Sequence, residues 1–333
     1  MKQIEVQERR VADLRALADA ENIKATGENV TAIQLLMESL EEPILRVADQ
    51  TAVIMRSLGK SQYSKLMQWL SPTPFMGHHM THSRKRIPGA GKWFLNHPQY
   101  QKWKHTSTSC ILVLHGIPGS GKTSLVSNVV DSFMQERSGQ NDSIAAPLAY
   151  FYCARSTFEP SRSNTDEVMR SIIRQLAFGR GSERKVHEIV VTDYERRKSE
   201  AELNGSDIPG LCVTEYVALI LDLTHFNPAT IMIDALDEIQ ESQQHELIQA
   251  LDEIAKRSAS VKVLMTCRDQ FVRLTPDGPK VRIQSSECQD DMINFVRHHV
   301  SEAIQSRRLL GGDVTEALRE DLIHTLVRGA KEM

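Results

Sequence analysis

No stretch of this sequence approaches the roughly 20 consecutive apolar residues that a membrane-spanning helix needs, so no helical span is expected. The opening MKQIEVQERR has no apolar core, which argues against a secretory signal. Charge of one sign is scarce as well. The formal net charge is −3, so no basic field draws the chain to nucleic acid. The five cysteines (Cys110, Cys153, Cys212, Cys267 and Cys288) are odd in number, far apart and without a CxxC pair. That excludes a disulfide framework and a structural zinc site, and points to reduced thiols in a cytoplasmic protein. No repeat of solenoid length is visible. What remains is soluble globular composition, 41% hydrophobic and 25% charged, in 333 residues that are enough for two domains.

Four segments are expected. Residues 1–70 read as a helical N-terminal segment, because Val30, Ile33, Leu36, Met37 and Leu40 recur at helical spacing. Pro43 suits a first helical turn, and Ile44, Val47, Ile54 and Leu58 continue the period to Gly59. An amphipathic face shows only that something is buried, so these helices pack on themselves or receive a protein partner. Residues 71–109 read as a linker rich in proline, glycine and basic residues. His78, His79 and His82 lie in it without cysteine or carboxylate to complete a metal site, and a solvated loop is the expectation. Residues 110–285 alternate short apolar runs (Ile111–Leu114, Leu148–Cys153, Thr230–Ile233, Val261–Thr266, Val281–Ile283) with helical patterns. Ser163 and Asp166 are spaced as a capping box before one of these helices. The alternation predicts an α/β fold, a parallel sheet covered by helices on both faces. Residues 286–333 begin a helical subdomain.

Two seven-residue stretches compete as phosphate loops: IPGAGKW (Ile87–Trp93) and IPGSGKT (Ile117–Thr123). A phosphate loop needs Gly-x4-Gly-Lys-Ser/Thr between a strand and a helix, so that backbone N–H groups, the helix N-terminus and the lysine converge on phosphate while the hydroxyl meets Mg²⁺. The second stretch has every part. Gly116, Pro118, Gly119, Ser120, Gly121, Lys122, Thr123 and Ser124 are the candidate nucleotide-binding residues. The first fails: Arg86 replaces the opening glycine, Trp93 replaces the hydroxyl, and no strand precedes it. It reads as a glycine-rich turn that delivers Trp93 and Phe94 to a packed surface.

The stretch TIMIDALDEI ends an apolar run in three acids. Asp234, at the strand tip, is the candidate for Mg²⁺ together with Thr123. Of Asp237 and Glu238, Glu238 is preferred as the acid that activates water. The run VKVLMTCRD ends in Thr266 and Arg268, and Arg268 can read the γ-phosphate or pair with Asp269 as a surface residue. A phosphoryl-transfer enzyme would want a lid arginine, for which Arg162 is the candidate.

Together ILVLHGIPGSGKTSL, LAYFYCARSTFEPSR, IMIDALDEI and VKVLMTCRD resemble the NACHT-type STAND NTPases of filamentous fungi, in the version described as a nephrocystin-like N-terminal domain. GAGKWFLNHPQYQKW is similar to the stretch that precedes the P-loop there. The resemblance covers about Leu70 to the C-terminus. It implies an ASCE sheet with the strand of Thr266 between the P-loop strand and that of Asp234. It implies Trp93 as a structural anchor, on a segment bordering the base or ribose. The implied activity is a slow ATP or GTP switch with self-association on activation, tied to non-self recognition and programmed cell death. The helical pattern HTLVRGAKEM stops where such relatives continue into a winged helix and sensor repeats, so a fragment, a truncated gene model or a shortened product is expected. The competing reading is a non-enzymatic scaffold acting through the N-terminal helices.

Overall fold

The computed structural model describes residues 60–87, 89–139, 146–178, 186–225, 227–284 and 286–331. The helical pattern expected between Val30 and Leu58 lies outside the described residues. The chain divides into two units, and described residues 60–68 and 186–208 fall in the first. That unit holds most of α1 (Lys60–Leu70). Because the second unit is the one with the sheet, its helices matter most: α2 (Phe75–Lys85), α3 (Pro98–His105), α4 (Lys122–Gly139) and α5 (Thr165–Leu176). The first unit also holds α6 (Glu188–Asn204), laced by pairs such as Arg197 to Asp193 and capped by Gly205. The second unit continues with α7 (Val213–Thr224), α8 (Glu241–Arg257), α9 (Gln289–Gln305) and α10 (Glu316–Lys331).

The five apolar runs become the strands β1 (Cys110–His115), β2 (Leu148–Tyr152), β3 (Ala229–Asp234), β4 (Val261–Cys267) and β5 (Lys280–Arg282). They pair in parallel in the order β2-β3-β4-β1-β5. Their central residues are buried without alternation, as expected where helices cover both faces. Leu112, Leu114, Tyr150, Tyr152, Met232 and Leu264 face one way, into a core with Leu125, Val126, Val129 and Val130 of α4. Helices α5 and α8 pack on the sheet as well, and α7 packs on both of them. The expected α/β sheet is present, with β4 between β1 and β3. In register, His115 lies beside Cys267 and Ile233 beside Met265. The residues that follow, Gly116, Asp234, Thr266 and Arg268, therefore gather at the carboxyl ends of the three central strands.

Two local expectations fail. Residues 71–109 are not a linker: they contain α2, the single turn Lys92–Leu95, and α3. Helix α2 is invisible to hydrophobic periodicity because polar groups do much of its packing, and tertiary contacts can sustain a helix that its own pattern does not announce. His79 is buried, with Nδ1 at 2.8 Å from the Tyr152 hydroxyl and Nε2 at 2.9 Å from Asp131 Oδ1. Phe75 meets Tyr150 edge-on at 5.7 Å. The segment just before α2 is pinned by α5: Ser71 and Thr73 donate to the buried carboxylate of Glu167, and Arg170 and Arg174 donate to the carbonyls of Leu70 and Ser71. The second failure is the cap of α5. Asn164, not Ser163, accepts the N–H groups of Asp166 and Glu167, while Ser163 donates to Pro160.

Asp131 on α4 is the node that joins α2 to the phosphate-loop helix. It accepts from His79, Ser83 and Arg86, and Arg86 also donates to Ser127. Burial pushes its carboxyl up, but the bonds from Arg86, His79 and Ser83 outweigh this and hold it below the ordinary range. A depressed folded-state value contributes stability above the unfolded value near 4, lost as pH falls through the folded value. Asp131→Asn, which leaves Arg86 without its counter-charge, is expected to cost about 2–3 kcal/mol. A thermal melt at pH 7 checks it, and the deficit should shrink in acid.

Candidate functional site

At the end of β1 the chain turns through Gly116–Gly121 into α4. Gly119 and Gly121 have φ of 80° and 86°, the left-handed region where only glycine is unstrained. Such a turn directs successive N–H groups inward and hands them to a helix N-terminus, an anion cradle. Lys122 Nζ lies across the loop and donates to the carbonyls of Gly116 and Ile117, 2.8 Å each. Burial lowers its affinity for a proton; Asp237 and Asp234 oppose that effect from nearby. Of the other loop candidates, Pro118 is exposed, Ser120 is half-buried within 3.4 Å of the lysine, and the Ser124 carbonyl accepts from Ser127.

Asp234 is 2% exposed. Its Oδ2 accepts from Thr123 Oγ1 at 2.7 Å and its Oδ1 from Thr266 Oγ1 at 2.7 Å; Thr266 in turn accepts the Ala235 N–H at 2.8 Å. Burial raises the carboxyl above the ordinary aspartate range, countered by Thr266, Thr123 and Lys122. Two hard oxygen donors, the Thr123 hydroxyl and the Asp234 carboxylate, thus converge beside the loop. That donor chemistry suits Mg²⁺, so Thr123 and Asp234 fit the metal expected of them.

Just past Asp234 the backbone makes an unusual turn. Ala235 has φ 54° and ψ 52°, a left-handed conformation that costs a non-glycine residue about 1–2 kcal/mol. It throws the chain into the turn Leu236–Glu238 and separates the two remaining acids. Asp237 is buried, with both oxygens engaged: Oδ1 accepts the Arg268 N–H at 3.2 Å and Oδ2 pairs with Arg268 Nε at 2.8 Å. Glu238 keeps a quarter of its side chain exposed; its Oε1 pairs with Arg268 Nη2 at 2.8 Å and its Oε2 accepts the Arg155 N–H at 3.3 Å. Arg268 therefore binds both acids. Asp269, the alternative partner, is held by His115 Nδ1 at 2.7 Å and by Arg282. Cys267, beside this cluster, has its thiol pushed up to about 12 by burial and by Asp237, so it stays protonated.

The glycine-rich turn of the first stretch is placed too. Gly91 approaches α4 so closely that a Cβ would stand 2.9 Å from Leu125 Cδ2, and its N–H donates to Asp291 of α9 at 2.7 Å. Phe94 is fully buried and Trp93 half-buried against the core. Arg162 does not project as a lid: Nε and Nη2 donate to the Tyr152 carbonyl and Nη1 to Glu159. His78 bonds Glu159, and His82 lies tilted against the Tyr152 ring, 4.7 Å between centroids, and stays neutral, its pKa lowered to about 4 by burial and by Arg162. Arg155 and Gln244, whose side chains hold the acid turn, were not among the expected site residues, although Arg155 lies within the stretch LAYFYCARSTFEPSR. Arg155 also follows the end of β2, at the strand ends where parallel sheets carry ligand groups, a position that could have marked it.

Among curated proteins none matches this chain. Solved structures resemble it only in part. Cdc6p from Pyrobaculum aerophilum has 12% identity and a TM-score of 0.38, over 68% of this chain and 52% of its own. Domain III of the Thermotoga maritima replication initiation protein DnaA has 12% identity and a TM-score of 0.37, over 73% and 95%. The Aeropyrum pernix ORC1 protein in complex with DNA has 12% identity and a TM-score of 0.39, over 72% and 64%. This chain thus spans about half the length of the Cdc6p chain, and overlaps this low bear on no residue of the site. The family model described as Nephrocystin 3, N-terminal, matches residues 89–268, a span that begins at the glycine turn and ends at Arg268. That span is more than half of the sequence and carries the loop, the acid turn and the arginine, and the chain belongs to the Nephrocystin 3, N-terminal, family.

Proposed function

We propose that this protein is a nucleotide-dependent switch that binds Mg-ATP or Mg-GTP and hydrolyses it slowly. The observation that carries the reading is the hydroxyl–carboxylate chain Thr123–Asp234–Thr266, which ties the phosphate loop to the tips of β3 and β4. Lys122 and the loop N–H groups would bind the phosphates, and Thr123 and Asp234 would hold Mg²⁺. Bound there, the metal supplies positive charge against the phosphate oxygens. Glu238 is the better placed general base. Both acids have both oxygens engaged, but a quarter of the Glu238 side chain is exposed and its contact with the Arg155 N–H is long at 3.3 Å, whereas Asp237 is buried with both oxygens on Arg268. Arg268, beside Glu238, offers a cation to the γ-phosphate in the transition state.

Resemblance to fungal STAND NTPases supports a cytoplasmic signalling role, with self-association on activation, in non-self recognition or cell death. Removing Lys122 deletes a charge-assisted contact worth about 1.5–3 kcal/mol, or roughly ten- to 150-fold in affinity. Titrating labelled ATP and GTP into wild type and Lys122→Ala checks this. Equal affinities would sink the phosphate-loop reading and favour a scaffold.

A further inference from the structure

The acid turn is held from outside by two side chains that use the same two carbonyls. Gln244 Nε2 donates to the Asp237 carbonyl at 3.3 Å and to the Ile239 carbonyl at 2.9 Å. Arg155 Nη2 donates to the same pair, at 3.3 and 3.2 Å. These carbonyls flank Glu238. The main-chain N–H of Arg155 also donates to Glu238 Oε2.

The two holders differ in exposure. Gln244 is buried and is a structural tie. The Arg155 side chain is 50% exposed, and the nearest acid, Glu241, stands 4.0 Å away. A cation so open to water gains little stability from carbonyls that already have a donor, because solvent competes for its contacts. What the contact does fix is direction. It locks the turn that starts at the strained Ala235, and with it the aim of the Glu238 carboxylate, whose other oxygen is taken by Arg268.

We propose that Arg155 is a positioning residue for hydrolysis: by clamping the carbonyls on either side of Glu238 it orients that carboxylate toward the attacking water. This rests on the reading of the chain as an NTPase with Glu238 as base.

The test compares kcat, KM, nucleotide affinity and melting temperature for wild type, Arg155→Ala, Arg155→Lys, Gln244→Ala, Glu238→Gln and the Arg155→Ala/Glu238→Gln pair. A misaimed base costs about ten- to a hundredfold in rate. Arg155→Ala is expected to lose that much kcat while affinity and KM stay within about twofold and the melting temperature holds; Gln244→Ala lowers the melting temperature. Arg155→Lys, which keeps a cation but not the planar fork, falls between and serves as the measurement if the alanine variant does not fold. Since both residues act through one carboxylate, the pair should be no slower than Glu238→Gln alone. An unchanged kcat in Arg155→Ala, a raised KM at constant kcat, or a further multiplicative loss in the pair overturns the positioning role and leaves the NTPase reading intact. A wild type without turnover, or a Glu238→Gln variant as fast as wild type, overturns both.

Discussion

Glu238→Gln is expected to bind nucleotide as wild type does and to turn it over roughly 10²–10⁴-fold more slowly, the usual contribution of a positioned general base. The substitution suits the test because it disturbs little else. The amide oxygen can keep the 2.8 Å bond from Arg268 Nη2. The amide nitrogen then faces the Arg155 N–H, a donor against a donor, but at 3.3 Å that contact is already long. Stability and affinity should therefore hold while proton abstraction is lost. Single-turnover hydrolysis with a parallel binding titration separates the two. Normal turnover in this variant would remove Glu238 from the chemistry. Asp237 would be a poor replacement, because it is buried and saturated by Arg268.

How far the site could be read from residues alone follows from what kind of group does each job. The phosphate loop was legible because its work is done by backbone geometry. Positive φ at Gly119 and Gly121 demands glycine at fixed spacing, and the demand survives as letters. Asp234 was legible because an acid ending an apolar strand is costly unless used. The bond from Thr266 to Asp234 was not, since it depends on β4 lying between β1 and β3, a fact of strand order that the resemblance implied and spacing did not. Arg155 left still less trace. Its partners are main-chain carbonyls 82 and 84 residues away, which any residue type could supply. Helix α2 was hidden for a related reason: His79, Ser83 and Arg86 pack through hydrogen bonds to Asp131, so the apolar period that announces a helix is missing. The cap of α5 slipped by one residue because Ser163 and Asn164 are both competent and only the backbone path decides between them.

Asp234→Asn should separate what the fold wants at this position from what the ligand wants. The carboxylate is buried, and burial pushes its proton affinity up despite the two threonine hydroxyls and Lys122. A carboxyl whose folded value is raised opposes folding above that value, and the penalty fades as pH falls through it. Asparagine removes the buried charge and keeps both neighbours: its oxygen accepts from Thr266, and its amide donates to a Thr123 hydroxyl that has turned round. The variant is therefore expected to melt at or above the wild-type temperature at pH 7, with any gain shrinking as pH falls. Binding should move the opposite way. Two opposite unit charges 4 Å apart interact by about 4 kcal/mol at an effective dielectric near 20, which is about a thousandfold in affinity. Titrating Mg²⁺ against a fixed nucleotide concentration should show that loss in the variant, with metal-free nucleotide binding far less affected. A variant that melts lower and still binds Mg-nucleotide normally would make Asp234 a structural tie between Thr123 and Thr266 instead of the metal's acid. A variant more stable and blind to Mg²⁺ would mean that this strand tip carries its charge at the expense of the fold, for the ligand alone.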